Sequence, residues 1–221
     1  MLIAAAIGVH AQAVLRTFDQ DKPGLAPAGF AFTMARQASP GRWLVRSDAG
    51  QQHLAHIADA ASPAGLAIAV LAGASFPNVR ASVRIRFSDG EFTGGLVWRY
   101  QNPQNFYAAT LDLRTQEIAL DRIVNGNRVR LEREGELELD PNAWHSIRIE
   151  HEGDRVRVSL GGIGVIRTRD RALAAAGQVG IWSGGNATTA FDDVRVDEGE
   201  GGDGRGNGNG NGERRRENPR R

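Results

Sequence analysis

Along most of this chain, apolar and polar residues change places at every second position, and that period excludes helices as the main building unit. From residue 79 to 87 the odd positions are Val79, Ala81, Val83, Ile85 and Phe87, with Arg80, Ser82, Arg84 and Arg86 between them. Successive side chains of a strand point to opposite faces, so the segment has one buried face and one wet face. The same reading gives strands over 94–100, 105–113, 117–123, 128–131, 145–151, 155–160, 178–183 and 188–196, with shorter ones over 43–46 and 54–57. Asp89-Gly90, Asn125-Gly126 and Gly153-Asp154 supply the turns, and the last should join its neighbours as a hairpin. Residues 58–77 carry no clear period. Only 170–176 reads as helical, over two turns. About eleven to thirteen short strands separated by turn signals predict an all-β sandwich or barrel and argue against βαβ units.

A chain of 221 residues accommodates one domain with an ordinary core. It has no cysteine, which excludes disulfides, thiolate nucleophiles and sulfur-ligated metals. The formal charge of +1 conceals an asymmetry. Residues 201–221 hold six arginines against three acids, which leaves the first 200 residues at −2. The body therefore lacks the domain-wide basic field of a nucleic-acid binder. The segment 198–221 alternates glycine with asparagine and then becomes arginine-rich. It has almost nothing to bury and is expected to be disordered, with a weak capacity for anionic polymers.

Residues 1–13, MLIAAAIGVHAQA, form an apolar run too short to span a bilayer. It has the h-region and the small-x-small pair Ala11 and Ala13 of a signal peptide, but not the basic n-region. The expectation is export to the periplasm or beyond. No segment reads as transmembrane.

The order of local patterns carries a family resemblance. It runs FDQDKPGLAPAGF (18–30), GRWLVRSDAG (41–50), FTGGLVWRYQNPQNFYAATLD (92–112), WHSIRIEHEGDRVRVSLGG (144–162) and GQVGIWSGGNATTAFDDVRV (177–196). Over residues 18–197 this resembles the concanavalin A-like lectin/glucanase superfamily. Within it, the order is similar to bacterial exported domains of the 3-keto-disaccharide hydrolase, or family 16 glycoside hydrolase-like (DUF1080), group. The resemblance implies a jelly-roll sandwich of two antiparallel sheets. It also implies a sugar-related role, without deciding between binding and catalysis.

Aromatic rings stack on sugars, and Asn and Arg orient hydroxyls, so Arg99, Asn102, Asn105 and Tyr107 are the candidate ligand-binding residues beside Trp98 and Tyr100. Arg84 and Arg86, with Arg148, Arg155 and Arg157, would add a positive sheet face suited to carboxylated or sulfated sugars. Alternation places Trp98 and Tyr100 together, most simply inward, with Arg99 outward. Laminarinase-type enzymes carry Glu-x-Asp-x-x-Glu. Glu136, Glu138 and Asp140 come closest, with the wrong central residue and the wrong spacing. Further candidate acids are Glu91 and Asp112, with His145 as a base. The five histidines lack metal-site spacing. Asn186-Ala187-Thr188 matches a glycosylation sequon. The resemblance also implies a structural calcium where the terminal strands meet, for which Asp19, Asp21 and Asp192 would serve, or Asp193 in place of one of them. No other cofactor is called for. Three functions stay open: an exported domain binding a polysaccharide or oligosaccharide, a glycoside or 3-keto-glycoside hydrolase, and a structural domain without a small ligand.

Overall fold

The computed structural model describes residues 13–35, 41–58, 65–89, 93–184 and 188–199. The apolar start up to Gln12, the segment from Glu200 onward, Glu91 and the Asn186-Ala187 part of the sequon lie outside the described residues.

The described residues form strands and no helix. The first eight are β1 (Val14–Arg16), β2 (Phe30–Ala35), β3 (Arg42–Asp48), β4 (Gln51–Ile57), β5 (Leu66–Leu71), β6 (Val79–Asp89), β7 (Thr93–Asn102) and β8 (Asn105–Asp112). There follow β9 (Glu117–Val124), β10 (Asn127–Glu134), β11 (His145–Glu152), β12 (Arg155–Leu160), β13 (Ile163–Arg169), β14 (Gln178–Gly184) and β15 (Thr188–Glu198). Sheet 1 runs β13-β12-β11-β6-β15-β4-β3, with β1 also on β15. Sheet 2 runs β10-β9-β8-β7-β14-β5-β2. All these pairings are antiparallel. The molecule is all-β, as the alternation predicts, and its two antiparallel sheets form the jelly-roll sandwich that the resemblance implies.

The core lies between the sheets. Val79, Ala81, Val83, Ile85 and Phe87 of β6 are buried there, facing Leu96 and Trp98 of β7 and Tyr107, Ala109 and Leu111 of β8. Asn125 and Gly126 both take positive φ, as a two-residue hairpin between right-twisted strands requires. They fix the β9–β10 register so that Arg130 faces Asp121. The Gly153-Asp154 hairpin pairs β11 with β12 as expected.

Two local expectations are corrected. Residues 170–176 form no helix. A two-turn helix is marginal alone, and here its ends are claimed elsewhere: Asp170 by Tyr107 and Arg122, and Leu173 by the core and the Tyr107 hydroxyl. The parity of β7 also slips. Arg99 has φ of 44°, and the β7–β8 register breaks between Trp98 and Asn102. Trp98 therefore points into the core, while Tyr100 joins a separate apolar cluster with Val97, Phe106 and Trp182.

Candidate functional site

That separate cluster marks the outer face of sheet 2. Alternation puts Leu66, Ile68 and Val70 of β5, Phe106 and Ala108 of β8, Ile123 of β9 and Trp182 of β14 on this side, away from the core. An outer sheet face is ordinarily polar; this one is apolar and hollowed. A narrow hollow of about 20 Å³, room for about one water, is lined by Ile68, Phe106, Thr110, Asp121, Arg128 and Trp182 among others. It adjoins a wider one of about 210 Å³ that reaches Pro103, Gln104 and Gly126. Leu66, Phe106, Ile123 and Arg128 line both.

Trp182 forms one end of this groove because glycines make room for it. Its indole donates to the carbonyl of Ala109 (3.3 Å), with its nitrogen beside the empty Cβ position of Gly95. A Cβ on Gly95 would stand 2.0 Å from that carbonyl oxygen, and one on Gly184 would stand 2.8 Å from the indole ring.

The polar side of the groove is built by the β9–β10 hairpin. Asp121, 1% exposed, accepts from Arg128 Nη2 (2.6 Å), from Arg130 Nε (2.8 Å) and from the Thr110 hydroxyl (3.4 Å). Arg130 also reaches Glu117 (3.2 Å). Its guanidinium is held still more firmly protonated: burial opposes the charge, but bonds to Asp121 and Glu117 outweigh it. Arg128 commits one nitrogen to Asp121 and lines both hollows, so its remaining N–H groups are available to hydroxyl or anionic oxygens.

The sequence-predicted ligand residues do not converge as one set, there or elsewhere in the fold. Tyr107 is fully buried, stacked on Trp98 with centroids 5.7 Å apart. It donates to Asp170 and accepts from Leu173 N–H (3.3 Å). Burial and the Asp170 carboxylate push its hydroxyl up to about 12, and its ring lies between the sheets and lines neither hollow. Arg99 is 2% exposed rather than outward. It donates to the carbonyls of Pro77 (2.7 and 3.2 Å), Leu173 (2.9 Å) and Gly153 (3.0 Å), tying three loops together. Asn102 and Asn105 build turns. Asn102 Oδ1 accepts from Gln104 N–H and Asn105 Nδ2, and Asn105 Oδ1 accepts from Asn125 N–H.

Arg84 and Arg86 do lie together, but on the outer face of sheet 1. Each guanidinium carbon stands 4.9 Å from the ring of Trp144. Arg84 pairs with Asp193 (3.1 Å) and Arg86 with Asp48 (2.7 Å). Trp144 precedes β11, and the strand pattern alone did not expose it as their partner.

The carboxylates expected to hold calcium do not form a cage. Asp21 is taken by Arg16 (3.1 and 3.3 Å), and Asp193 by Arg84. Asp192 accepts its neighbour's N–H (2.8 Å). Burial first, and then the Asp193 and Asp19 charges, push it up to about 6, against the pull of that N–H and of Arg84. Among the described residues, no three His, Asp or Glu side chains gather as a metal site. Glu136, Glu138 and Asp140 lie exposed in an irregular stretch rather than on one strand face. Asp112 caps a turn through Arg114 and Thr115 N–H, and His145 bonds the Asp140 carbonyl. His53, His56 and His151 are buried.

No family model matches the chain, and no curated protein matches it. Solved structures with the same architecture do. The carbohydrate-binding module CBM66 from Bacillus subtilis aligns with a TM-score of 0.61 at 21% identity, over 76% of this chain and 95% of that one. Domain 4 of AbnA, a GH43 extracellular arabinanase from Geobacillus stearothermophilus, in complex with arabinotriose, gives 0.56 at 11%, over 86% and 94%. A prokaryotic β-1,3-1,4-glucanase (lichenase) derived from a mouse hindgut metagenome gives 0.56 at 14%, over 86% and 100%. These likenesses show the fold, a jelly-roll sandwich of two antiparallel sheets. At such identities they speak for the fold.

Proposed function

We propose that this protein is a non-catalytic carbohydrate-binding domain that takes one sugar unit of a glycan in the groove on sheet 2. The observation that carries the reading is the wider hollow of the groove, which sets Leu66, Phe106, Ile123 and Pro103 beside Arg128, next to the narrow hollow that Trp182, Ile68, Asp121 and Thr110 line. Apolar walls with a few fixed polar groups are the general form of small-ligand sites. The wider hollow, about 210 Å³, is smaller than the roughly 300–1,000 Å³ of pockets for drug-sized ligands, so it suits one ring rather than a chain. That two of the structural neighbours are described as a carbohydrate-binding module and an arabinotriose complex supports the reading. The order of sequence segments supports a place beside the DUF1080-type domains. The pattern of residues 1–13 supports export to the periplasm or beyond.

Binding is favoured over hydrolysis by the lining. A glycosidase ordinarily needs two carboxyl groups across the scissile bond, and among the described residues Asp121 is the only carboxylate lining either hollow. Calorimetric titration of the full chain against arabinan and β-glucan oligosaccharides tests this. Binding to at least one of them, weakened tenfold or more by Arg128→Ala with no release of reducing sugar, is the expected result. Reducing-sugar release that Asp121→Asn abolishes would move the protein to the hydrolases.

A further inference from the structure

We infer that the outer face of sheet 1 is a second binding surface, for an acidic polysaccharide whose carboxylates or sulfates run diagonally across the strands. This does not rest on the groove reading, since it concerns the opposite side of the sandwich.

The register places arginines against one another. Arg157 of β12 lies directly opposite Arg167 of β13, and Arg155 opposite Arg169. Like charges directly across a sheet are destabilising. One more row along, Arg148 of β11 and Arg195 of β15 flank Ser82 of β6 on either side. Arg148 and Arg157 are diagonal neighbours, since Arg148 faces Ser159 and Arg157 faces Glu150. The arginines thus form a stripe crossing β13, β12, β11, β6 and β15, roughly 19 Å at about 4.8 Å per strand.

Among the described residues, Arg155, Arg157, Arg167 and Arg195 have no carboxylate partner, and all four are exposed. Charge that only guards an edge strand against pairing belongs on β13. Here it continues inward over β12 and across to β15. Between the rows lies a hollow of about 60 Å³, lined by Arg80, Ser82, Arg148, Arg195 and Asp197. It has room for a group larger than one water and is bordered by three guanidinium groups and the Asp197 carboxylate. Arg80 and Arg148 also hold Glu152 and Glu150, while Arg195 holds no carboxylate among the described residues. Guanidinium donors match the geometry of oxyanions. The excess is local, because the first 200 residues sum to −2. A charged face of this kind draws in an anionic chain and releases it as salt rises.

The test uses the full chain with dextran sulfate, polygalacturonate, neutral dextran and a duplex DNA oligonucleotide as probes. Both acidic glycans should bind at low salt and neutral dextran should not. The combined Arg148→Ser, Arg157→Ser, Arg167→Ser and Arg195→Ser variant should lose at least tenfold in affinity. Its melting temperature should be equal or higher, because like-charge pairs have been removed. Arg128→Ala in the groove, and replacement of the six arginines beyond residue 200 by serine, should leave this binding within twofold. The inference is overturned if neither acidic glycan binds, if the affinity follows the six terminal arginines instead, or if DNA binds more tightly with the same dependence on the face.

Discussion

Arg99 and His151 show how single buried polar groups decide where a site cannot be. Arg99 gives its guanidinium to three backbone carbonyls, so Arg99→Met strands those acceptors and should destabilise by about 3 kcal/mol or more in urea unfolding. Lysine, a point charge on a flexible stem, should not rescue it. His151 accepts from the Trp98 indole (3.0 Å) and is fully buried. Burial, and then Arg99, lower it to about 4 from 6.5. The unfolded chain therefore binds a proton there that the folded chain refuses. Stability is complete above about pH 6.5 and falls as pH drops toward 4, by about 3 kcal/mol in all; His151→Gln should flatten that stretch of the stability–pH curve. Asp192 works in the opposite sense. Its raised pKa means that ionisation is disfavoured in the fold, so stability is lost as pH rises from about 3.8 to 6. Asp192→Asn should accordingly raise the melting temperature at pH 7 and leave it unchanged at pH 3.

At the scale of elements, the alternation of β6 and the hairpins at Asn125-Gly126 and Gly153-Asp154 were legible because period and turn chemistry are local properties. The slip at Arg99 was not. A non-glycine residue at positive φ inside a strand is held there by the loops it bonds, and nothing adjacent in sequence announces it. That one slip moved Tyr100 to the outer face and drew Arg99 inside, which dispersed the expected ligand cluster. Tyr107 fell to the same limit, since its partner Asp170 comes from a segment 63 residues away. The groove could have been found in part. With Asn125-Gly126 as the turn, counting back along the hairpin sets Asp121 opposite Arg130, on the face that carries Ile123. What no counting reveals is Trp182, which lies beside Gly95 across the β7–β14 pairing. Gly95→Ala should therefore be among the most damaging single methyl additions in sheet 2, about 3 kcal/mol, read from urea unfolding together with a change in tryptophan near-UV circular dichroism.

For the whole molecule, the two outer faces differ in kind. Sheet 1 presents ion-paired arginines around Trp144 and a further row of arginines running past the Ser82 hollow; sheet 2 presents an apolar groove closed by one clamped carboxylate. A sandwich needs only its inner faces to be apolar; the outer apolar residues of sheet 2 form a second buried cluster, and the proposed ligand would meet the edges of it that line the groove. The four tryptophans report on this directly. Trp182 lines the groove, Trp144 lies on the opposite face, and Trp98 and Trp43 are buried in the core. Following the four indole N–H signals by nuclear magnetic resonance, while neutral arabinan and β-glucan oligosaccharides are added, separates these places in one titration. The account predicts that one of these glycans shifts the Trp182 signal and leaves those of Trp98, Trp43 and Trp144 in place. A shift confined to Trp144, or no shift of Trp182 with any of the glycans, would contradict it.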